Sequence, residues 1–260
     1  MKQEKQVVVM IGCLIVHGFT GTPQEVEDIR EYFAEKLWLV YTPELPGHDG
    51  TKESLKAASY QEWVYKAQIA LEELLERCDK VYVIGFSMGG VIAGYLAANY
   101  PVDKLVLISS AAYYLNPKQL AEDLSGWVLE GIRGELEEDD VYQFYRDKVM
   151  RTPISATFEF AKLVRKLRAA FHHVTVPVLI VQGEKDGLVP ARSARYIYEQ
   201  IKSEDKQLFF MEEAKHYIWY SDQKDTFLTE LDRFLTGGED TLKRSRDSHD
   251  EDSDPKAIHL

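Results

Sequence analysis

The chain has 260 residues, of which 45% are apolar and 28% charged, with 31 lysines and arginines against 43 aspartates and glutamates for a net charge of −12. Such a chain is globular and buries a core without disulfides or metals, as one large domain or two small ones. The negative charge repels phosphate backbones and anionic lipid surfaces, so neither nucleic-acid binding nor membrane insertion is expected.

The first apolar run, Val7 to Val16, is ten residues long, half of the roughly 20 that a membrane-spanning helix needs. Lys2 and Lys5 precede it as in a signal peptide. However, Glu4 dilutes their charge, no small-residue cleavage site follows, and the run leads straight into His17-Gly-Phe-Thr-Gly21; it reads as a strand. Gly12 marks a tight turn or a bulge in it. Thr22-Pro-Gln-Glu25 has the form of a capping box with proline at the first helical position, predicting a helix to about Lys36. Leu37 to Thr42 reads as a second strand, followed by the turn Leu45-Pro-Gly-His-Asp-Gly50. Ser59-Tyr-Gln-Glu62 is a second capping box, and Trp63, Ala67, Leu71, Leu74 and Cys78 then recur at helical spacing. Lys80 to Gly85 is a buried strand. Met88 to Tyr100 is a helix, stopped before Pro101. Leu105–Ser109, Val178–Gln182 and Gln207–Met211 are further strands. Ser221 is placed to cap a last helix with Phe227, Leu231, Phe234 and Leu235 on its buried face. Strands alternating with helices predict a mostly parallel sheet covered on both faces.

Residues 111–173 break this alternation. They look helical, with Trp127, Phe144, Tyr145, Phe160 and Phe171 among many charges, and are expected to form a small helical cap over the sheet's edge or a longer crossover. The core is then 1–110 with 174–236. Residues 237–260, which lack Phe, Tyr and Trp, read as a polar, disordered tail, a docking segment or an appended remnant. Cys13 and Cys78 make no disulfide framework and read as reduced; with the first apolar run read as a strand and not a signal peptide, the default location is cytoplasmic.

Gly85-Phe-Ser87-Met-Gly89 matches G-x-S-x-G, with a buried strand leading in and a helix leading out. A sharp strand-to-helix turn exposes the serine and demands small neighbours, which Gly85 and Gly89 supply; Gly90 lets the helix pack close. The helix start offers free N–H groups beside the serine. The loop His17–Gly21 can aim the N–H of Phe19 at a developing oxyanion, paired with that of Met88. A serine nucleophile needs a base. His17 belongs to the loop, His48 to a turn, His172 and His173 to the end of the insertion, and His249 and His259 to the tail. His216, just past the last strand, is left. For the orienting carboxylate, Asp186 lies at a strand's C-terminal end, with Glu184 as its competitor. The order Ser87, Asp186, His216 is that of a hydrolase triad.

On His17–Gly21, LPGHDG, GFSMGG, GEKDGLVP and the Ala214-Lys-His216 before the final helix, residues 6–236 resemble the α/β-hydrolase superfamily. Within it the chain looks most like small bacterial carboxylesterases and monoacylglycerol lipases with a short helical cap. It departs from many relatives in Ala214-Lys215 before the histidine, in the aspartate of LPGHDG and in shortened strands ahead of the His17 loop. The resemblance implies the α/β-hydrolase fold, Ser87 as nucleophile, His216 as base, Asp186 as its orienter, and Phe19 and Met88 as oxyanion donors. It also implies a small-molecule ester substrate and no metal or organic cofactor; the oligomeric state is left open. The same triad serves thioesterases, lactonases, peptidases and carbon–carbon hydrolases, and some relatives act as ligand receptors. The insertion's aromatics fit an apolar acyl or alcohol group, or plain packing.

Overall fold

A computed structural model describes residues 9–113 and 152–237. Most of the insertion, with Trp127, Phe144 and Tyr145, lies outside the described residues, as do His249, His259 and the tail from 238 on.

Six strands make one sheet: β1 (Ile11–Val16), β2 (Leu39–Tyr41), β3 (Lys80–Phe86), β4 (Lys104–Ile108), β5 (Val178–Gly183) and β6 (Lys206–Met211). Their order is β2-β1-β3-β4-β5-β6 and every pairing is parallel. The helices are α1 (Glu27–Ala34), α2 (Lys52–Ala57), α3 (Tyr60–Arg77), α4 (Met88–Asn99), α5 (Ile154–Leu167), α6 (Ala191–Gln200) and α7 (Lys224–Thr236).

Side chains alternate across a strand, so the sheet sorts its apolar residues into two layers. Leu14, Val83, Leu105 and Ile180 face one core, which takes in α3, α4, α5 and α6. Ile15, Ile84, Val106 and Leu179 face the other, closed by Ile29 and Phe33 of α1 and by Phe227, Leu231 and Phe234 of α7. The helix α4 is apolar nearly all round because it is buried nearly all round. In α5 and the 3-10 turn Arg168–His173 that follows, Phe160 and Phe171 are buried in the first of these cores, Phe171 against Gly94 of α4.

The capping box at Ser59 forms as expected: its hydroxyl accepts from the Glu62 N–H, and the Glu62 carboxylate accepts from the Ser59 N–H and hydroxyl. The box at Thr22 does not form. Pro23–Val26 is a 3-10 turn with no side-chain cap, and Glu25 is buried beside Gly21, accepting a hydrogen bond from the Tyr217 hydroxyl at 3.4 Å. Burial against a distant segment outcompetes the local bond. Ser221 does not cap the last helix either. Gln223 stands at the cap position, while the Ser221 hydroxyl donates to the Ile218 carbonyl and accepts from the Gln223 N–H. Gly12 is neither turn nor bulge. It pairs in unbroken register with Leu39 and Val81, and a Cβ there would press on the Cys78 sulfur. The short α2 and the cation-bearing α6 were not anticipated. No helix among the described residues is long and apolar enough to cross a membrane.

Candidate active site

Because all six strands run the same way, their C-terminal ends share one edge of the sheet. The segments leaving β1, β3, β4, β5 and β6 carry His17, Ser87, Ser109, Asp186 and His216, so residues far apart in sequence meet along that edge.

Ser87 sits between β3 and α4 at φ 55° and ψ −116°, a conformation non-glycine residues rarely adopt. Holding it there costs about 1–3 kcal/mol, which the surroundings must supply. Its N–H donates to the Ile108 carbonyl at 2.9 Å, and its carbonyl accepts from Gly90 and Ala111 N–H groups, each at 3.1 Å. A Cβ on Gly85 would collide with the Gly89 carbonyl and Ala93. One on Gly89 would strike the Val16 and His17 carbonyls, and one on Gly90 the Ser110 hydroxyl. The turn is therefore closed to larger residues at the positions where the sequence has glycine.

Met88 opens α4, so its N–H has no carbonyl one turn back and points out of the helix start. Phe19 lies in the loop after β1, and its N–H makes no hydrogen bond among the described residues. The loop is pinned by His17, which is fully buried: the Leu45 N–H donates to Nε2 at 3.2 Å and Nδ1 lies 2.9 Å from the Gly18 carbonyl. A ring nitrogen that accepts from an N–H carries no proton, so Nδ1 is the donor and His17 is the neutral tautomer. The Phe19 ring stacks on Phe160 of α5 with centroids 5.0 Å apart, and packs against Trp63 and His48. His48 ends the turn that begins at Leu45, its N–H donating to the Leu45 carbonyl at 3.0 Å, and its ring is buried in this cluster.

Asp186 and His216 are brought together: His216 Nδ1 lies 2.8 Å from Asp186 Oδ2, and both side chains are almost wholly buried. Asp186 Oδ1 accepts from the N–H groups of Leu188 and Val189 at 2.9 and 2.8 Å, and Oδ2 also accepts from Gln182 Nε2 at 3.0 Å. That coordination fixes the carboxylate's plane and makes Nδ1 the protonated nitrogen, turning Nε2 to its other side. Glu184, the competing acid, is exposed, and its own N–H is tied to the Met211 carbonyl. His172 and His173 are exposed on the 3-10 turn after α5.

Two residues that sequence reading passed over hold this arrangement. Ser109, at φ 45° and fully buried, donates through Oγ to the His216 carbonyl at 3.0 Å. The turn after β4 thus grips the backbones of Ser87 and His216 together. Gln182 donates to Asp186 and to the Gly183 and Val189 carbonyls. The available signal was a polar residue at the end of each otherwise apolar buried strand. Among the described residues, no three His, Cys, Asp or Glu side chains converge as a metal site.

The sequence profile of the family described as "Serine aminopeptidase, S33" matches residues 9–223. The chain is similar to a thermostable monoacylglycerol lipase of Bacillus sp. (strain H-257), 29% identical over 212 residues, 79% of this chain and 82% of the relative. It is similar to a carboxylesterase of Bacillus subtilis (strain 168), 24% identical over 228 residues, 85% of this chain and 91% of the other. Among solved structures, one of the metagenome-derived lipolytic enzymes LipS and LipT superposes with a TM-score of 0.72 at 25% identity, covering 88% of this chain and 95% of that one. These are α/β-hydrolase matches, in accord with the parallel sheet and its helices.

Proposed function

The chain belongs to the serine aminopeptidase S33 family of α/β-hydrolases, and from that premise we propose that it is a serine carboxylesterase acting on short- to medium-chain acyl esters or monoacylglycerols. The observation that carries this reading is the buried Asp186–His216 pair on the same sheet edge as a serine held at positive φ. The names of the lipase and esterase relatives support it.

In this mechanism Asp186 holds His216 with Nδ1 protonated, so Nε2 takes the Ser87 proton as Oγ attacks the ester carbonyl. Charge moves onto the carbonyl oxygen, where the N–H groups of Phe19 and Met88 receive it; such donors are worth about 3–4 kcal/mol each in the transition state. His216 then protonates the departing alcohol. Water, deprotonated by the same nitrogen, hydrolyses the acyl-enzyme and restores Ser87. The imidazolium formed midway is stabilised by the Asp186 carboxylate. No step calls for a metal or organic cofactor. Residues 111–173 are the cap in this reading, with Phe160 stacked on the loop that carries an oxyanion donor. The cytoplasm is the proposed location, supported by two free thiols, of which burial pushes Cys13 far above its ordinary pKa.

Hydrolysis of p-nitrophenyl esters from acetyl to palmitoyl, beside Ser87→Ala, tests the proposal. Turnover is expected to vanish in the variant and to peak at one chain length. Undiminished turnover in Ser87→Ala, or none with any ester, would overturn it. The family's description favours a second reading, peptide hydrolysis, which amino-acid p-nitroanilides run in parallel would reveal.

A further inference from the structure

Against the net charge of −12, two segments of the chain carry mostly cations. The sequence has no Asp or Glu between Glu159 and Glu184, while Lys162, Arg165, Lys166 and Arg168 fall in that interval, with the exposed His172 and His173 beside them. On α6, Arg192 and Arg195 are exposed one turn apart, and Glu199 is that helix's one acid. The two helices are joined by Arg168, whose guanidinium lies 5.3 Å from the ring centre of Tyr196 on α6. Lys162 is paired with Glu159. Among the described residues, Arg165, Lys166, Arg168, Arg192 and Arg195 make no ion pair; Arg192 and Arg195 instead rest over Tyr113 and Phe210.

The outer stripe of α5 adds a second chemistry to these cations. Ile154 and Phe158 are 76% and 50% exposed, and they precede Lys162, Arg165 and Lys166 at helical spacing, so apolar and cationic groups line one side of the helix over about 18 Å. The opposite side of the same helix carries Phe160, stacked on Phe19.

We propose that the outward face of α5, extended by Arg168, Arg192 and Arg195, docks the protein on an anionic phospholipid surface. Unpaired cations alone would suit any polyanion. Exposed Ile154 and Phe158 on the same stripe would stay in water against a nucleic acid or an acidic protein surface, but enter the acyl boundary of a membrane while the cations meet phosphates. Docking through α5 places the lipid surface on the far side of the helix that packs on the Phe19 loop. The binding goes beyond the esterase reading and does not need it.

Co-sedimentation of the full chain with vesicles of phosphatidylcholine containing roughly one-third phosphatidylglycerol tests the proposal, with pure phosphatidylcholine for comparison. Binding is expected to the anionic vesicles only, and to be lost in 1 M salt, where the Debye length is about 3 Å. Arg165→Glu with Lys166→Glu should weaken it at least ~30-fold, counting only the two positive charges removed. Ile154→Ser with Phe158→Ser should also weaken it, whereas reversal of the exposed Lys56 on α2 should not. All these side chains are exposed, so circular dichroism and hydrolysis of dissolved p-nitrophenyl butyrate should match wild type. Equal binding to neutral vesicles, no binding to anionic ones, or full binding by the Arg165/Lys166 variant would overturn the proposal. So would tighter binding of duplex DNA or polyglutamate than of vesicles, since each points to a different partner. Failure of the esterase reading would appear in the soluble-ester assay and leave the sedimentation result standing.

Discussion

The backbone of Ser87 makes a prediction that does not depend on the reaction. At φ 55° and ψ −116° a residue with a Cβ carries about 1–3 kcal/mol of strain, whereas glycine adopts the conformation freely. Ser87→Gly removes that strain but gives the unfolded chain extra entropy worth about 0.5–1 kcal/mol. No helix cap is lost, because the Ser87 side chain makes no capping bond to α4. The net expectation is a gain of about 1 kcal/mol, or a melting temperature higher by about 2–4 °C for a chain of this size. Ser87→Ala keeps the Cβ and the strain, so its stability should stay within about 0.5 kcal/mol of wild type. The difference between the two variants isolates the backbone contribution, and urea unfolding with calorimetry would measure it. Both should be inactive as esterases. A Ser87→Gly variant no more stable than Ser87→Ala would show that the turn is not strained.

Three other perturbations follow from contacts at and away from the site. Ser109→Ala deletes the bond to the His216 carbonyl; kcat should fall roughly tenfold, about 1.4 kcal/mol, with KM unchanged, and an equal change in KM alone would contradict a role in placing His216. Gly89→Ala puts a methyl group against the Val16 and His17 carbonyls, so a loss of at least about 1–3 kcal/mol is expected in denaturant melts, together with loss of ester turnover; a wild-type unfolding midpoint would refute it. Hydrogen bonds from the Ser59 N–H and hydroxyl hold the Glu62 carboxyl below its ordinary value. A carboxylate with a depressed folded value adds stability above the unfolded value, about 4.3, and loses it as pH falls through the lower folded one. Glu62→Gln should therefore melt below wild type at neutral pH and converge with it in acid; a gap that widens in acid would reverse the sign.

Short-range rules govern the features that are legible in the amino-acid order. The glycines around Ser87, the capping box at Ser59 and the two-residue alternation of the buried strands are all written locally, and each corresponds to a contact or element in the structure. Where a local rule competes with a long-range one, the sequence misleads or is silent. Glu25 has the spacing of a capping residue but is drawn into the interior beside Tyr217, 192 positions away. Gly12 looks like a breaker, yet it makes room for Cys78. The sequence favours Asp186 and leaves Glu184 as its competitor; the path of the chain after β5 turns Glu184 to solvent and Asp186 onto His216. Ser109 and Gln182 show only as polar residues ending apolar strands; Gln182 finds its partners in the loop after its own strand, whereas Ser109 reaches His216 beyond another strand. The cations of α5 and α6 belong to two distant segments of an acidic chain, and the fold links them through Arg168 over Tyr196. Tertiary structure decides these cases because a buried polar group must find its partner wherever the fold supplies one, and that partner is rarely a neighbour in sequence.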